Sequence, residues 1–171
     1  MYNDHVYELL DGTQKRLHFR DTNVEMQRRS ADSVAELLGY LGAASARRAT
    51  GSTRMNANSS RSHVLAFVHV STVGGASALL TLADLAGSER VARSRAEGVR
   101  LREANCINAS LTALGRCVQA LAERRFAPFR ECALTKLLRT ALQGSSRTAL
   151  VAAVHPSASE FDESSGTLTF A

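Results

Sequence analysis

Leu79-Leu80-Thr81-Leu82-Ala83-Asp84-Leu85-Ala86-Gly87-Ser88-Glu89 decides how this chain is read. A mostly apolar run ends on an aspartate, and a glycine follows three positions later. A carboxylate at the end of a buried strand can hold a metal-bound water. A glycine placed just beyond it lets a backbone N–H approach a terminal phosphate. Taken alone, Asp-x-x-Gly is no more than a strand-end turn. Upstream lies Asn56-Ala57-Asn58-Ser59-Ser60-Arg61-Ser62-His63, which offers hydroxyls for a metal and an arginine for the same site. A turn and a polar loop do not by themselves explain both motifs flanking one hairpin. That hairpin is predicted from the β-rich residues 64–73, turned by Gly74-Gly75 into residues 79–83.

Working outward, residues 6–10 are apolar enough to be buried and Asp11-Gly12 makes a turn. Residues 13–29 read as a loop or small hairpin. Ser30 or Asp32 can cap a helix carrying Val34, Leu37, Leu38 and Leu41 on one face, and residues 47–62 read as a long polar loop. Past the aspartate, Ile107, Leu111, Leu114, Val118 and Leu121 recur at helical spacing. Pro128 ends the connection that follows. A shorter helix holds Leu134, Leu137, Leu138 and Leu142, with Gly144 at its C-terminal end. Residues 148–154 read as a β-branched strand closed by Pro156, and Asp162 and Glu163 open a last helix. Strands alternating with helices give an α/β layered domain.

The 171 residues suffice for one domain with a sizeable core. No apolar run reaches the length of a membrane span, and residues 1–5 show no basic-then-apolar signal pattern. Cys106, Cys117 and Cys132 are too widely spaced for a metal cluster and point to a reducing, cytosolic setting. The net charge of +5 is local: residues 85–130 hold nine arginines against four acids, which is the entire excess. Such a basic face suits an acidic partner. Few aromatics lie among these arginines for base stacking, which argues against nucleic acid.

The two loops resemble switch I and switch II of the kinesin motor family. Residues 56–63 fit Asn-x-x-Ser-Ser-Arg-Ser-His at every specified position, and residues 82–89 fit Leu-x-Asp-Leu-Ala-Gly-Ser-Glu. Tyr2-Asn3-Asp4 with Leu9-Leu10, Asn108-Ala109-Ser110-Leu111, Pro128-Phe129-Arg130-Glu131 with Leu134-Thr135, and Thr167-Leu168 with Phe170-Ala171 resemble further family motifs in the family's order. The resemblance implies a three-layer, P-loop NTPase-like α/β fold, with residues 1–171 forming part of a motor domain. A phosphate loop needs Gly-x-x-x-x-Gly-Lys-[Ser/Thr]. The two lysines here, Lys15 and Lys136, do not follow a glycine. By resemblance that loop lies in an N-terminal half upstream of Met1, and the neck lies beyond Ala171.

The resemblance also assigns roles. Ser60 and Asp84 would hold Mg²⁺, Asp84 through water, since Mg²⁺ keeps waters and carboxylate contacts. Gly87 would offer its N–H to the γ-phosphate of ATP, and Arg61 and Glu89 would pair across the closed site. Glu89 or Ser59 would order the attacking water. Asn56, counted with Ser60, Asp84 and Gly87 among the nucleotide-binding residues, would fix loop shape together with His63. The implied partner is tubulin, met by Arg90, Arg93, Arg124, Arg125 and Arg130, because Ala109 and Ala133 stand where the family often has lysines. Placement on cytoplasmic microtubules and dimerisation through regions outside this chain follow from the same resemblance. Two other readings remain beside the microtubule-stimulated ATPase: a non-hydrolysing tubulin-binding homologue, and an incomplete gene model.

Overall fold

The computed structural model describes residues 1, 4–53, 62–87 and 99–171, with only the backbone for 49–53 and 99–107. The chain divides into two compact units, Met1–Ala86 and Gly87–Ala171. Among the described residues the strands pair as three two-stranded antiparallel sheets.

In the first unit, β1 (Val6–Tyr7) pairs with β2 (Arg16–Leu17), and β3 (Phe19–Arg20) pairs with β4 (Asn23–Val24). The turn after β1 is built locally. Asp11 Oδ1 accepts from the Thr13 amide at 2.9 Å and from its hydroxyl at 2.8 Å, an aspartate's usual way of fixing a turn. Gly12 takes the left-handed conformation this turn requires, with φ +80°. Glu8 is buried. Its carboxylate is satisfied by the amides of Leu9, Leu10 and Gln27 at 2.9–3.1 Å, so it ties residue 27 back to the end of β1.

Helix α1 spans Val34–Thr53. Its start is fixed by Ser33, whose hydroxyl accepts from the Glu36 amide at 3.1 Å, while Glu36 reaches back to the Asp32 amide at 2.9 Å. Hydroxyl and carboxylate thus satisfy amides that have no intrahelical partner. Two expectations change here. The cap is Ser33 rather than Ser30 or Asp32, and residues 47–53, read from sequence as loop, continue the helix. The inward stripe also differs: Val34 and Leu38 are exposed, and the less exposed residues are Leu37, Tyr40, Leu41, Ala44, Arg47 and Arg48. Those positions keep helical spacing, so the stripe runs on from apolar residues into two arginines.

Strands β5 (Val64–Ser71) and β6 (Ser77–Asp84) form the predicted hairpin, with Val64 opposite Asp84 and Ser71 opposite Ser77. Its turn closes through Thr72 N–H to Ala76 O and Gly75 N–H to Thr72 O, both 2.9 Å, with Gly75 at φ +83°. Side chains alternate between faces of a strand. One face carries Val64, Ala66, Val68, Val70, Leu80 and Leu82; the other carries Leu65, Phe67, Leu79 and Ala83.

The second unit is helical. Helix α2 (Val99–Ala122) packs on α3 (Ala133–Leu142) around Leu111, Leu114, Cys117, Phe129, Leu134 and Leu138, all buried. Thr135 is fully buried. It accepts from the Cys132 amide at 3.3 Å and lies 2.9 Å from the Phe129 carbonyl, to which it donates. Cys117 and Cys132 are both free and buried. Helix α4 (Phe161–Phe170) follows a 3-10 turn at Ala158–Glu160.

Residues 148–154, expected as a strand, take no strand pairing, and Leu150, Val151 and Val154 are exposed. The second unit contains no described strand to pair with them. A strand's N–H and C=O groups need such a neighbour. Thr148 serves α3 instead: its hydroxyl donates to Ala141 O at 2.6 Å, beside a bond from the Ser146 hydroxyl to Thr140 O at 2.7 Å. Both occupy carbonyls that the helix end leaves open.

Candidate functional site

The described ends of the two predicted switch segments meet at the open end of the β5–β6 hairpin, where Ser62 and His63 lead into β5 and Asp84 closes β6. Arg48, which the sequence reading did not single out, organises this corner from α1. Its Nε donates to Ser62 Oγ at 3.1 Å and its Nη2 to the Ser62 carbonyl at 2.7 Å. Its Nη1 donates to Asp84 Oδ2 at 2.5 Å. The Arg48 side chain is 15% exposed and the Asp84 side chain 67%. A planar guanidinium presents fixed donors in several directions at once, so one side chain joins the two segments. The signal that could have revealed Arg48 was its place on the inward stripe of α1.

His63 makes the second link. It is 3% exposed, and its Nδ1 accepts from the Ala86 amide at 2.9 Å. The acceptor nitrogen carries no proton, which puts the proton of the neutral ring on Nε2. Burial above all, with the positive charge of Arg48 adding to it, pushes the imidazole down from its usual 6.5 to about 4. His63 therefore fixes loop shape, as a neutral hydrogen-bond acceptor. Its backbone also pairs with Met1, whose carbonyl accepts from the His63 amide at 3.2 Å and whose amine donates to the His63 carbonyl at 2.5 Å.

Asn56, Ser59, Ser60 and Arg61 lie outside the described residues, as do Glu89, Arg90 and Arg93. Gly87 is described and half-buried, directly after the buried Ala86. The donor set at the corner suits a hard divalent cation. Asp84 offers an oxygen ligand in contact with solvent, and Mg²⁺ is held by one or two carboxylates while keeping several waters. Among the described residues no group of three or more His, Cys, Asp or Glu side chains forms a ready-made metal cage. Asp84 would hold the ion through water, and its carboxylate is the group on which Arg48 sits.

On the second unit, Arg124, Arg125 and Arg130 are exposed around the connection from α2 to α3. Arg125 is ion-paired with Glu123, and Arg116 with Glu131. Arg124 has φ +53°, a conformation that turns the chain sharply where α2 ends. Phe126 is 90% exposed between these arginines. The sequence reading gave it no role, because one aromatic in a basic run reads equally well as part of the core.

Comparison with known proteins defines the class. The family model described as Kinesin motor domain matches residues 1–171. The kinesin-like protein KIF15 of Strongylocentrotus purpuratus is 38% identical over 100% of this chain and 13% of its own length. The kinesin-like protein KIN-14K of Oryza sativa subsp. japonica is 39% identical over 100% of this chain and 18% of its own. Among solved structures, the KIF14 dimer in its two-heads-bound state, with AMP-PNP and in complex with a microtubule, superposes with a TM-score of 0.81 at 32% identity. That match covers 99% of this chain and 54% of KIF14's. The C-terminal motor and motor homology domain of Kar3Vik1 gives a TM-score of 0.75 at 31% identity, over 99% of this chain and 48% of its own.

The chain belongs to the kinesin motor domain family, and its elements are part of the α/β motor fold. It spans about half the length of the solved motor chains and less than a fifth of the curated relatives.

Proposed function

We propose that this chain is the switch-bearing part of a microtubule-stimulated ATPase, in which Mg²⁺-dependent ATP hydrolysis is coupled to movement along microtubules. The observation that carries the reading is the corner at Asp84. One guanidinium joins the segment entering β5 to the aspartate ending β6, and one imidazole joins that same segment to the Ala86 amide. Two loops tied by exchangeable hydrogen bonds are what a nucleotide switch must contain, because a phosphate and its metal act by re-pairing them.

Asp84 has two competing uses. Paired with Arg48, it closes the corner without metal. Released, its carboxylate can hold a metal-bound water. Arg48 therefore competes with a metal for Asp84 while it holds the corner closed. Gly87 would then present its N–H to the terminal phosphate, a role no side chain needs to fill. For Ser60 as metal hydroxyl, Arg61 and Glu89 as the closing pair, and Ser59 or Glu89 as water-orienting groups, support rests on the family motifs. Residues 1–171 are proposed as one segment of that motor domain.

The test uses Gly87→Ala in the full-length protein. The expected result is loss of ATP turnover with microtubule binding retained, since the added methyl blocks approach to the phosphate. Unchanged turnover would remove the switch assignment. A second reading, a tubulin-binding homologue without hydrolysis, is favoured by the exposed Arg124, Arg125 and Arg130. It requires salt-sensitive pelleting with microtubules that is indifferent to nucleotide. Nucleotide-dependent pelleting would reject it.

A further inference from the structure

Arg47, next to Arg48 on α1, is held as firmly as its neighbour but by a different segment of the chain. Its Nη1 donates to the Leu9 carbonyl at 2.6 Å and to the Leu10 carbonyl at 2.9 Å. Its own backbone carbonyl accepts from Gln14 Nε2 at 2.9 Å. A Cβ built on Gly12 would come within 3.5 Å of the Arg47 Nε, so the turn after β1 closes around this guanidinium. The turn is itself pinned by Asp11 and Thr13. Arg47 thus docks into a preformed cradle of backbone carbonyls.

Consecutive helical residues point about 100° apart. Arg47 reaching Leu9 and Leu10 while Arg48 reaches Ser62 and Asp84 therefore fixes the rotation of α1 about its axis. A turn of the helix that improved one set of bonds would lengthen the other. We propose that Arg47 is a positioning residue for the switch corner: by anchoring α1 to the β1 turn, it holds Arg48 against Asp84. This rests on the reading of Arg48 as a competitor with metal for Asp84. It goes beyond that reading by giving the β1 turn control over how strongly Arg48 competes.

The experiment is a double-mutant cycle in the full-length protein, with Arg47→Ala, Arg48→Ala and the pair. The readout is the Mg²⁺ concentration that half-maximally slows release of a fluorescent nucleoside diphosphate. This reports binding, whatever the turnover. Arg48→Ala should lower that concentration, because Asp84 no longer has a competing partner. Arg47→Ala should lower it in the same direction by about threefold, and should have no further effect in the Arg48→Ala background, as expected for residues that act in series. Arg47→Lys should restore part of the effect, since an ammonium can reach a carbonyl but lacks the guanidinium's spread of donors.

A stabilising role alone would lower thermal stability in both backgrounds without moving the Mg²⁺ dependence, and that result would overturn the proposal. Equal shifts from Arg47→Ala in both backgrounds would also overturn it. If Arg48→Ala itself leaves the Mg²⁺ dependence unchanged, the underlying reading falls and the proposal falls with it. A shift from Arg48→Ala with none from Arg47→Ala removes the positioning role alone.

Discussion

One arginine, Arg48, and one histidine, His63, join the segments at the switch corner, and each tolerates change differently. Removing the Asp84 charge tests the metal role directly. Asp84→Asn keeps the side chain's shape but weakens both the bond to Arg48 and any hold on a metal water. Retention of Mg²⁺-linked nucleotide should fall at least about tenfold, the scale of losing an outer-sphere metal partner; release kinetics measure it. His63 predicts a pH dependence. Its folded-state value of about 4 lies below its ordinary 6.5, so the neutral ring stabilises the fold. That contribution is complete above pH 6.5 and is lost as pH falls through 4, up to about 3 kcal/mol across that window. Protonation of Nδ1 also breaks the bond from the Ala86 amide. His63→Gln, whose amide oxygen can accept in place of Nδ1, should flatten the acid limb of the stability curve in urea titrations between pH 7 and 4. An unchanged acid limb would show that other groups dominate it. At the β1 turn, Gly12→Ala should cost about 1–2 kcal/mol, because φ +80° is strained for any side chain.

At the scale of elements, the hairpin, the helix carrying Ile107 to Leu121, the helix from Leu134 and the last helix were legible because their apolar spacing and turn residues agreed. Residues 47–53 were misread because small and polar residues give little periodic signal, and the tie that extends the helix comes from arginines reaching carbonyls elsewhere. Residues 148–154 carry a strand's composition, but a composition cannot supply the neighbour a strand must pair with. At the site, the strand end at Asp84 and the segment leading to Gly87 could be read from the motif alone. Arg48 could not, because its partners Ser62 and Asp84 are 14 and 36 residues away. Thr135 shows how one side chain can decide an element. Fully buried, it caps α3 through the Cys132 amide and bonds the Phe129 carbonyl. Thr135→Val preserves its shape while leaving that amide and carbonyl unpaired. The expected loss is about 1–3 kcal/mol, read as a lower thermal midpoint, with the α2–α3 connection the first region to gain hydrogen exchange.

For the molecule as a whole, charge and apolar surface separate by role. The β5–β6 hairpin is apolar on both faces, the signature of a sheet interior covered from both sides, and Val70, Leu79, Leu80 and Leu82 are nonetheless exposed. The second unit presents Arg124, Arg125 and Arg130 with Phe126 among them. If this tip meets the acidic surface of tubulin, its two chemistries should separate by salt. Long-range attraction by exposed charges is screened over about 8–10 Å at physiological ionic strength, whereas an aromatic side chain buried on contact contributes through desolvation. In microtubule co-sedimentation, Arg124→Glu with Arg125→Glu should weaken binding most at low salt and flatten its salt dependence. Phe126→Ala should weaken binding by a similar factor at every salt concentration and leave thermal stability within about 0.5 kcal/mol, the usual range for an exposed position. If the two variants show the same salt response, Phe126 does not enter the contact, and the arginines alone account for this face.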